Sequence, residues 1–315
     1  MRRLTRPLLL AVLACLPAGT TAAGDAFRIV GYAPEWTLAN LNVATLAPVT
    51  DLLLFSCQVT AEGALPQVPL NPESLAWYQK AKELHALRLH LCVGGWGRSD
   101  GFATMTADHQ KRAAFVADAA AYCTANGLHG IDYDWEFPAN RAEESAYALL
   151  LEETAAHFHA RGLEVSVALG WTQSLDPRGY AAVDGIHLMT YDMGRKHATF
   201  RAMEGVVRRF LKEGVPASKL CLGVPFYGRR MDDNNVSAGY ATLAAAHPLT
   251  PDTDEAGGFY FNGPETLRAK TRFARQQGLG GMMIWELSTD LTGEGSLLRA
   301  IAHEAASPEP SAPKE

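Results

Sequence analysis

No two cysteines of this chain stand in a Cys-x-x-Cys pair, no glycine-rich turn follows its first predicted strand, and acidic residues outnumber basic ones, 34 to 28. Each shortage removes a class of function. Cys57, Cys92, Cys123 and Cys221 lack the spacing of a structural zinc site, and no metal or cofactor is read from the sequence. Without a glycine fingerprint after residues 27–33, a doubly wound nucleotide-binding sheet is the weaker alternative for the fold. The acidic balance argues against nucleic acid or an anionic membrane as partner, whereas a neutral or cationic polymer tolerates it. The leading apolar run, LLLAVLACL (8–16), is too short for a stable membrane span. No internal repeat, linker or appended binding module is read along the chain.

What is present begins with that run. Arg2, Arg3 and Arg6 precede it and the small residues AGTTAAG (18–24) follow, the pattern of an export signal cleaved near Ala23. Val12-Leu13-Ala14-Cys15 loosely resembles a lipidation site, which makes an anchor at Cys15 the alternative, and Arg2-Arg3 lacks the context of a twin-arginine signal. Losing three of the 28 basic residues leaves 25 against 34 acidic ones, a mature net charge near −9. The expected location is therefore secreted or periplasmic. There Cys57 and Cys92 are the pair to oxidise if their strands are neighbours; the plainer reading is four buried thiols. The Pro-rich tail SPEPSAPKE (307–315) is expected to be disordered.

Apolar, β-branched runs alternate with segments of helical period. The runs cover 27–33, 50–57, 87–95, 130–135, 163–170, 183–191, 220–228 and 280–287, with helices expected over 73–86, 109–126, 141–161, 199–213 and 264–277. Eight strands alternating with helices predict an α/β fold, a (β/α)8 TIM barrel spanning 24–306. Residues 230–263 read as a polar, irregular insertion, too short for a sizeable α+β domain.

One run is chemically odd. LHGIDYDWEFP (128–138) places Asp132, Asp134 and Glu136 two apart, so a strand aims all three to one face and Ile131, Tyr133 and Trp135 to the other. In a barrel, Glu136 then lies at the C-terminal mouth with Asp134 and Asp132 successively deeper. Crowding raises the pKa of the acid at the mouth, as a general acid needs, and the deeper acids can share a proton. A structural carboxylate network or a divalent-metal site are the other readings of the spacing.

HGIDYDWEFP resembles the DxDxE signature of the family 18 glycoside hydrolases, the chitinase family. CVGGW (92–96), MTYD (189–192), GVPFYGR (223–229) and GGMMIWEL (280–287) resemble its other strand motifs in the same order, so the similarity spans roughly 27–305. The resemblance implies a retaining mechanism in which the substrate's acetamido group is the nucleophile. Glu136 is then general acid and base, Asp134 orients the acetamido group, Asp132 tunes Asp134, and Tyr191 holds the acetamido oxygen. Tyr32, Trp36, Trp96, Phe137, Met189, Asp192, Tyr227, Arg229 and Trp285 fall at sugar-contacting positions, Tyr227 and Arg229 on the seventh strand. Trp77, Trp135 and Trp171 are left to packing or without a role. Cis peptides are implied at Glu136–Phe137 and Trp285–Glu286.

The chain departs from the pattern at His129, where an acid or amide is usual, at Phe137 for tyrosine, and at Cys92 for serine, which removes a hydrogen bond near the acids. The short insertion implies a shallow, open cleft and endo or oligosaccharide-trimming action. The expected partner is an N-acetylglucosamine-containing oligo- or polysaccharide, bound by a monomer. An endo-β-N-acetylglucosaminidase, a peptidoglycan glycan hydrolase and a non-catalytic lectin stay open as alternatives.

Overall fold

The computed structural model describes residues 26–308. The export signal, the Cys15 anchor and residues 309–315 of the tail lie outside the described residues. Twelve strands occur within them: β1 (Arg28–Pro34), β2 (Asp51–Cys57), β3 (Arg88–Gly94), β4 (Gly130–Asp134), β5 (Glu164–Gly170), β6 (Gly185–Met189), β7 (Leu220–Pro225), β8 (Tyr227–Arg230), β9 (Ser237–Gly239), β10 (Glu255–Ala256), β11 (Phe259–Tyr260) and β12 (Gly281–Trp285). β1 to β7 and β12 pair in parallel and close into a barrel, β12 completing the ring between β7 and β1. This is the expected (β/α)8 architecture, with no large inserted domain.

The barrel strands are buried on both faces, as strands covered by helices outside and side chains inside must be. Ile131, Tyr133 and Trp135 face outward into the layer between strands and helices. Val30, Tyr32, Leu53, Cys92 and Met283 fill the interior. Fully burying one such aliphatic side chain contributes about 1.5–3 kcal/mol, so the two layers dominate stability. The helices expected from the sequence form with small boundary shifts. The helix Pro264–Gln276 starts on its proline and is followed by Gly278 at φ 65°. The helix Arg141–His159 starts where Asn140 accepts from the Ala142 and Glu143 amides, which fixes the end of the loop carrying Glu136.

Two expectations change. The run 220–228 is two strands, because Pro225 has no amide with which to continue the ladder. Tyr227 and Arg229 therefore stand on β8, which pairs antiparallel with β9 and β11, and not on the seventh barrel strand. The insertion is not irregular: it folds as a four-stranded sheet, order β10-β11-β8-β9, with the helix Tyr240–Ala246. Strands of two to four residues are too short to show a period in sequence. For cysteine the plainer reading holds. β2 and β3 are neighbours, yet all four thiols are free and buried. A register irregularity between Leu54 and Cys57 turns Cys57 to the outer layer, while Cys92 points into the barrel.

His129 acquires a role here. It precedes β4 at the end of the barrel away from the mouth, and its Nδ1 accepts the Leu89 amide at 3.1 Å, tying β3 to the start of β4. Trp135 stacks on Phe102 at 5.1 Å and Trp77 meets Tyr78 edge-on, so both pack. Among the described residues no helix is long and apolar enough to cross a membrane.

Candidate active site

The alternation read from the sequence places Asp132 and Asp134 inside the barrel and Glu136 just past the end of β4. A cavity of about 750 Å³ opens above them, lined by all the expected site residues except Asp132, which lies beneath its floor. Among the described residues, no group of three or more His, Cys, Asp or Glu side chains is placed to hold a metal ion.

Asp132 is fully buried and surrounded by donors. Ser166 Oγ at 2.6 Å and His187 Nδ1 at 3.0 Å face its Oδ1, and the Tyr32 hydroxyl donates to Oδ2 at 2.8 Å. Burial alone would raise its pKa, but His187, Ser166 and Tyr32 outweigh burial and hold it below the ordinary carboxylate value. Cys92 keeps a weak contact, its Sγ lying 3.6 Å from Oδ2, so the substitution weakens that hydrogen bond without removing it.

Asp134 is the opposite case. It is 4 % exposed, and its Oδ1 has no hydrogen-bond partner. Burial, then the charge of Glu136, then that of Asp132 push its pKa well above the ordinary value. Glu136 is pushed up to about 7, by burial first and the charge of Asp192 second, against a backbone hydrogen bond from Trp96. Its amide donates to Ser99 Oγ at 3.1 Å, which fixes the backbone where β4 ends.

Asp192 follows β6 in the left-handed region, φ 58°. It accepts from the Tyr227 hydroxyl at 2.7 Å, from both Nε and Nη2 of Arg229, and lies 3.2 Å from His197 Nδ1. Burial opposes its charge, but His197, Arg229 and Tyr227 prevail and keep it ionised far below the usual range. Tyr191 is buried beside it. The recorded contact of its hydroxyl is Met283 Sδ at 3.9 Å, a poor acceptor, and Met189 packs nearby.

Aromatic side chains shape the rest. Trp285 packs edge-on against Tyr32 and Phe55, with centroids 5.6 and 4.6 Å apart. Trp36 leans on Phe55, with the Arg98 guanidinium 5.8 Å from its ring centroid. Trp96 is 78 % exposed and Phe137 46 %, unusual for large apolar side chains unless a ligand covers them. Cis peptides occur at Glu136–Phe137 and Trp285–Glu286, as implied, and also at Phe55–Ser56.

Sequence reading missed several members. Trp171 lines the cavity at 43 % exposure, its carbonyl held by Arg209 Nη2 at 3.0 Å. Its place just after a predicted strand end was the available signal. Phe55 also lines the cavity. Ser166, His187 and His197 carried no signal, since a lone serine or histidine in an apolar run is ordinary core. The insertion also adds more than expected: Asn234, Asn235 and Ser237 line one side of the cavity.

An open-mouthed (β/α)8 barrel with carboxyl groups of raised pKa among exposed aromatics defines a hydrolase of the glycosidase type. Comparison with known proteins agrees. The family model for glycosyl hydrolases family 18 matches residues 28–290, and the chain belongs to that family. It is 26 % identical to endochitinase 1 of Metarhizium robertsii over 290 residues, 74 % of this chain and 68 % of the relative. It is 25 % identical to chitotriosidase-1 of Mus musculus, covering 85 % of this chain and 74 % of that one. A family 18 chitinase of Flavobacterium johnsoniae superposes with a TM-score of 0.79 at 25 % identity, covering 89 % of this chain and 94 % of that one. A chitinase-like agglutinin of Robinia pseudoacacia shares the fold at 20 % identity, TM-score 0.75, over 88 % and 99 % of the chains.

Proposed function

We propose that this protein hydrolyses β-1,4-linked N-acetylglucosamine chains, chitin or chitooligosaccharides, by a retaining, substrate-assisted mechanism. The observation that carries the reading is a pair of buried polar groups left open towards one cavity. Asp134 Oδ1 has no partner, and the Tyr191 hydroxyl donates only to a sulfur. A sugar acetamido group satisfies both, its N–H donating to Asp134 and its carbonyl oxygen accepting from Tyr191. So held, that oxygen attacks C1 while Glu136, protonated near neutrality, gives its proton to the glycosidic oxygen. The bond from C1 to the leaving sugar breaks as the bond from C1 to the acetamido oxygen forms, giving an oxazolinium ion. Glu136, now a carboxylate, takes a proton from water, which attacks C1 and restores the acetamido group with retention.

Trp285, Trp36 and Trp96 act as apolar platforms for sugar faces, Tyr32, Phe137 and Met189 complete the apolar lining, and Asp192, Tyr227 and Arg229 bind hydroxyls. The names of the related endochitinase and chitotriosidase support chitin-type chains over glycoprotein glycans or peptidoglycan. A small sheet in place of a large inserted domain supports endo action or trimming of soluble oligomers; release of mainly dimers from crystalline chitin over many consecutive cuts would contradict it. We read 24–306 as the catalytic unit, exported after cleavage near Ala23, which N-terminal sequencing of the mature protein checks.

The test incubates the protein and its Glu136→Gln variant with chitotetraose, muropeptide glycans and a high-mannose glycopeptide, with products read by mass. Cleavage of chitotetraose by wild type alone is the expected result. Binding without cleavage of any substrate would make the protein a lectin, and equal activity of the variant would remove Glu136 from the chemistry.

A further inference from the structure

Burying an amine is costly unless its hydrogens find partners, and one buried amine of this chain takes no part in the chemistry above. Lys270, on the helix Pro264–Gln276, is fully buried. Its Nζ donates to the Ala198 carbonyl at 2.8 Å and to Asn262 Oδ1 at 2.7 Å. Asn262 Nδ2 donates to the same carbonyl at 3.0 Å, so the three groups close a triangle, and Ala198 and Asn262 are as buried as the lysine. Both acceptors are neutral. Asp254, whose charge reaches the amine, is itself held by the Gly263 amide at 2.7 Å and Thr266 Oγ1 at 2.6 Å. Burial pulls the Lys270 pKa down to about 7, and the two hydrogens of a neutral amine already suffice for the two bonds.

Two corners of the triangle lead to Asp192 by separate routes. Ala198 follows His197, which is fully buried, lies 5.2 Å from the Tyr227 ring and brings Nδ1 to 3.2 Å from Asp192 Oδ1. Asn262 comes two residues after Tyr260, which pairs with Arg229 where β11 meets β8. Arg229 in turn donates to both oxygens of Asp192. Asp192 is thus gripped by the loop that follows β6 and by the inserted sheet, two segments well apart in the chain. Lys270 ties both to one helix outside the barrel.

We infer that Lys270 is a positioning residue: its amine locks the loop after β6 to the exit of the inserted sheet, so that His197 and Arg229 hold Asp192 from fixed sides. The locking follows from the hydrogen bonds alone; its effect on sugar binding rests on the proposed hydrolase reading, in which Asp192 binds hydroxyls. The lysine itself meets no sugar and acts only through the carboxylate it helps to place.

Lys270→Met keeps the length and bulk of the side chain and removes both hydrogens. Asn262→Leu opens the triangle at another corner, with the same expectations, and serves if Lys270→Met does not fold. On chitotetraose, Lys270→Met is expected to raise KM about tenfold and to leave kcat within about threefold. In an Asp192→Asn background the same substitution should change KM by less than about twofold, since a group acting through Asp192 has little left to lose there. A purely structural lysine would lower stability in urea titration and leave the KM of the folded enzyme alone. Unchanged KM, or equal factors with and without the Asp192 carboxylate, overturns the inference. Crystal structures of wild type and Lys270→Met give the direct readout, with His197 Nδ1 near 3 Å from Asp192 Oδ1 in the first and beyond about 3.5 Å in the second. The same separation in both also overturns it. Absence of any cleavage by wild type sinks the hydrolase reading instead, and the crystallographic comparison then decides the positioning role by itself.

Discussion

The two ends of this barrel use the same charged residue types to opposite effect. At the end where the strands begin, Asp51 is nearly inaccessible but accepts from Arg28 Nε at 3.0 Å, from Arg28 Nη2 at 2.5 Å and from His90 Nε2 at 3.0 Å. Arg28 and Arg88 both also bridge to Glu164. Burial opposes the charge on Asp51, yet His90 and Arg28 hold it ionised far below the usual carboxylate range. At the mouth, Asp134 and Glu136 are also buried, but neither has a cation against it, and both pKa values rise. Burying a charge is costly unless it is paired. The beginning of the barrel meets that cost and gains a fixed structure. The mouth leaves it unmet and keeps protons where chemistry can use them.

The largest expected effect falls on the mouth alone. Glu136→Gln removes the group that delivers and recovers the proton, and kcat on chitotetraose should fall about a thousandfold with no loss of stability in urea titration. Retention of a tenth of the activity would mean that another acid acts.

The contrast is sharpest for the two aspartates compared directly. Asp51→Asn leaves Arg28 and His90 without their anion and should cost about 3 kcal/mol of unfolding free energy, with kcat nearly unchanged. Asp134→Asn removes an unsatisfied buried carboxyl, so the fold should be as stable or about 1 kcal/mol more stable while kcat drops about a hundredfold. Equal destabilisation by the two would erase the distinction between the ends.

Stability should respond to pH in opposite directions at the two ends. Glu136 binds its proton more tightly in the folded chain, with a pKa of about 7 against an ordinary 4.5. Its contribution is therefore full below 4.5 and is lost as pH rises towards 7. Asp51 binds its proton less tightly when folded, so its contribution is present above the ordinary aspartate range and is lost on acidification. Urea titrations across pH should show the alkaline-side fall reduced in Glu136→Gln and the acid-side fall reduced in Asp51→Asn. The same proton sets activity: kcat/KM should decline above about 7, as Glu136 ionises.

The smallest effect tests the rim. Trp171→Ala removes one exposed aromatic face and should weaken binding of the longer chitooligosaccharides by about 1 kcal/mol, near fivefold in Kd, leaving the shortest unaffected. Calorimetry over a series of oligomer lengths checks this. A uniform loss at every length would place Trp171 in the structure of the loop and not against the sugar.

The barrel was legible because eight apolar runs of strand length alternate with helical segments, and the acids on β4 because a period of two leaves no other arrangement for residues 132, 134 and 136. The same rule failed at Cys57. Counting in twos from Leu53 and Phe55 points it inward beside Cys92, but the irregularity after Leu54 reverses it. Sequence alone determined the fold and the direction of the acid line, since both follow from periodicity along the segments, whereas the ring of aromatics came only from the resemblance to the family. Only the tertiary structure decided which acids keep their protons. That depends on His187, Ser166 and Tyr32 converging on Asp132 from three other strands, and on none reaching Asp134, and no pattern along one strand records what stands across the barrel from it.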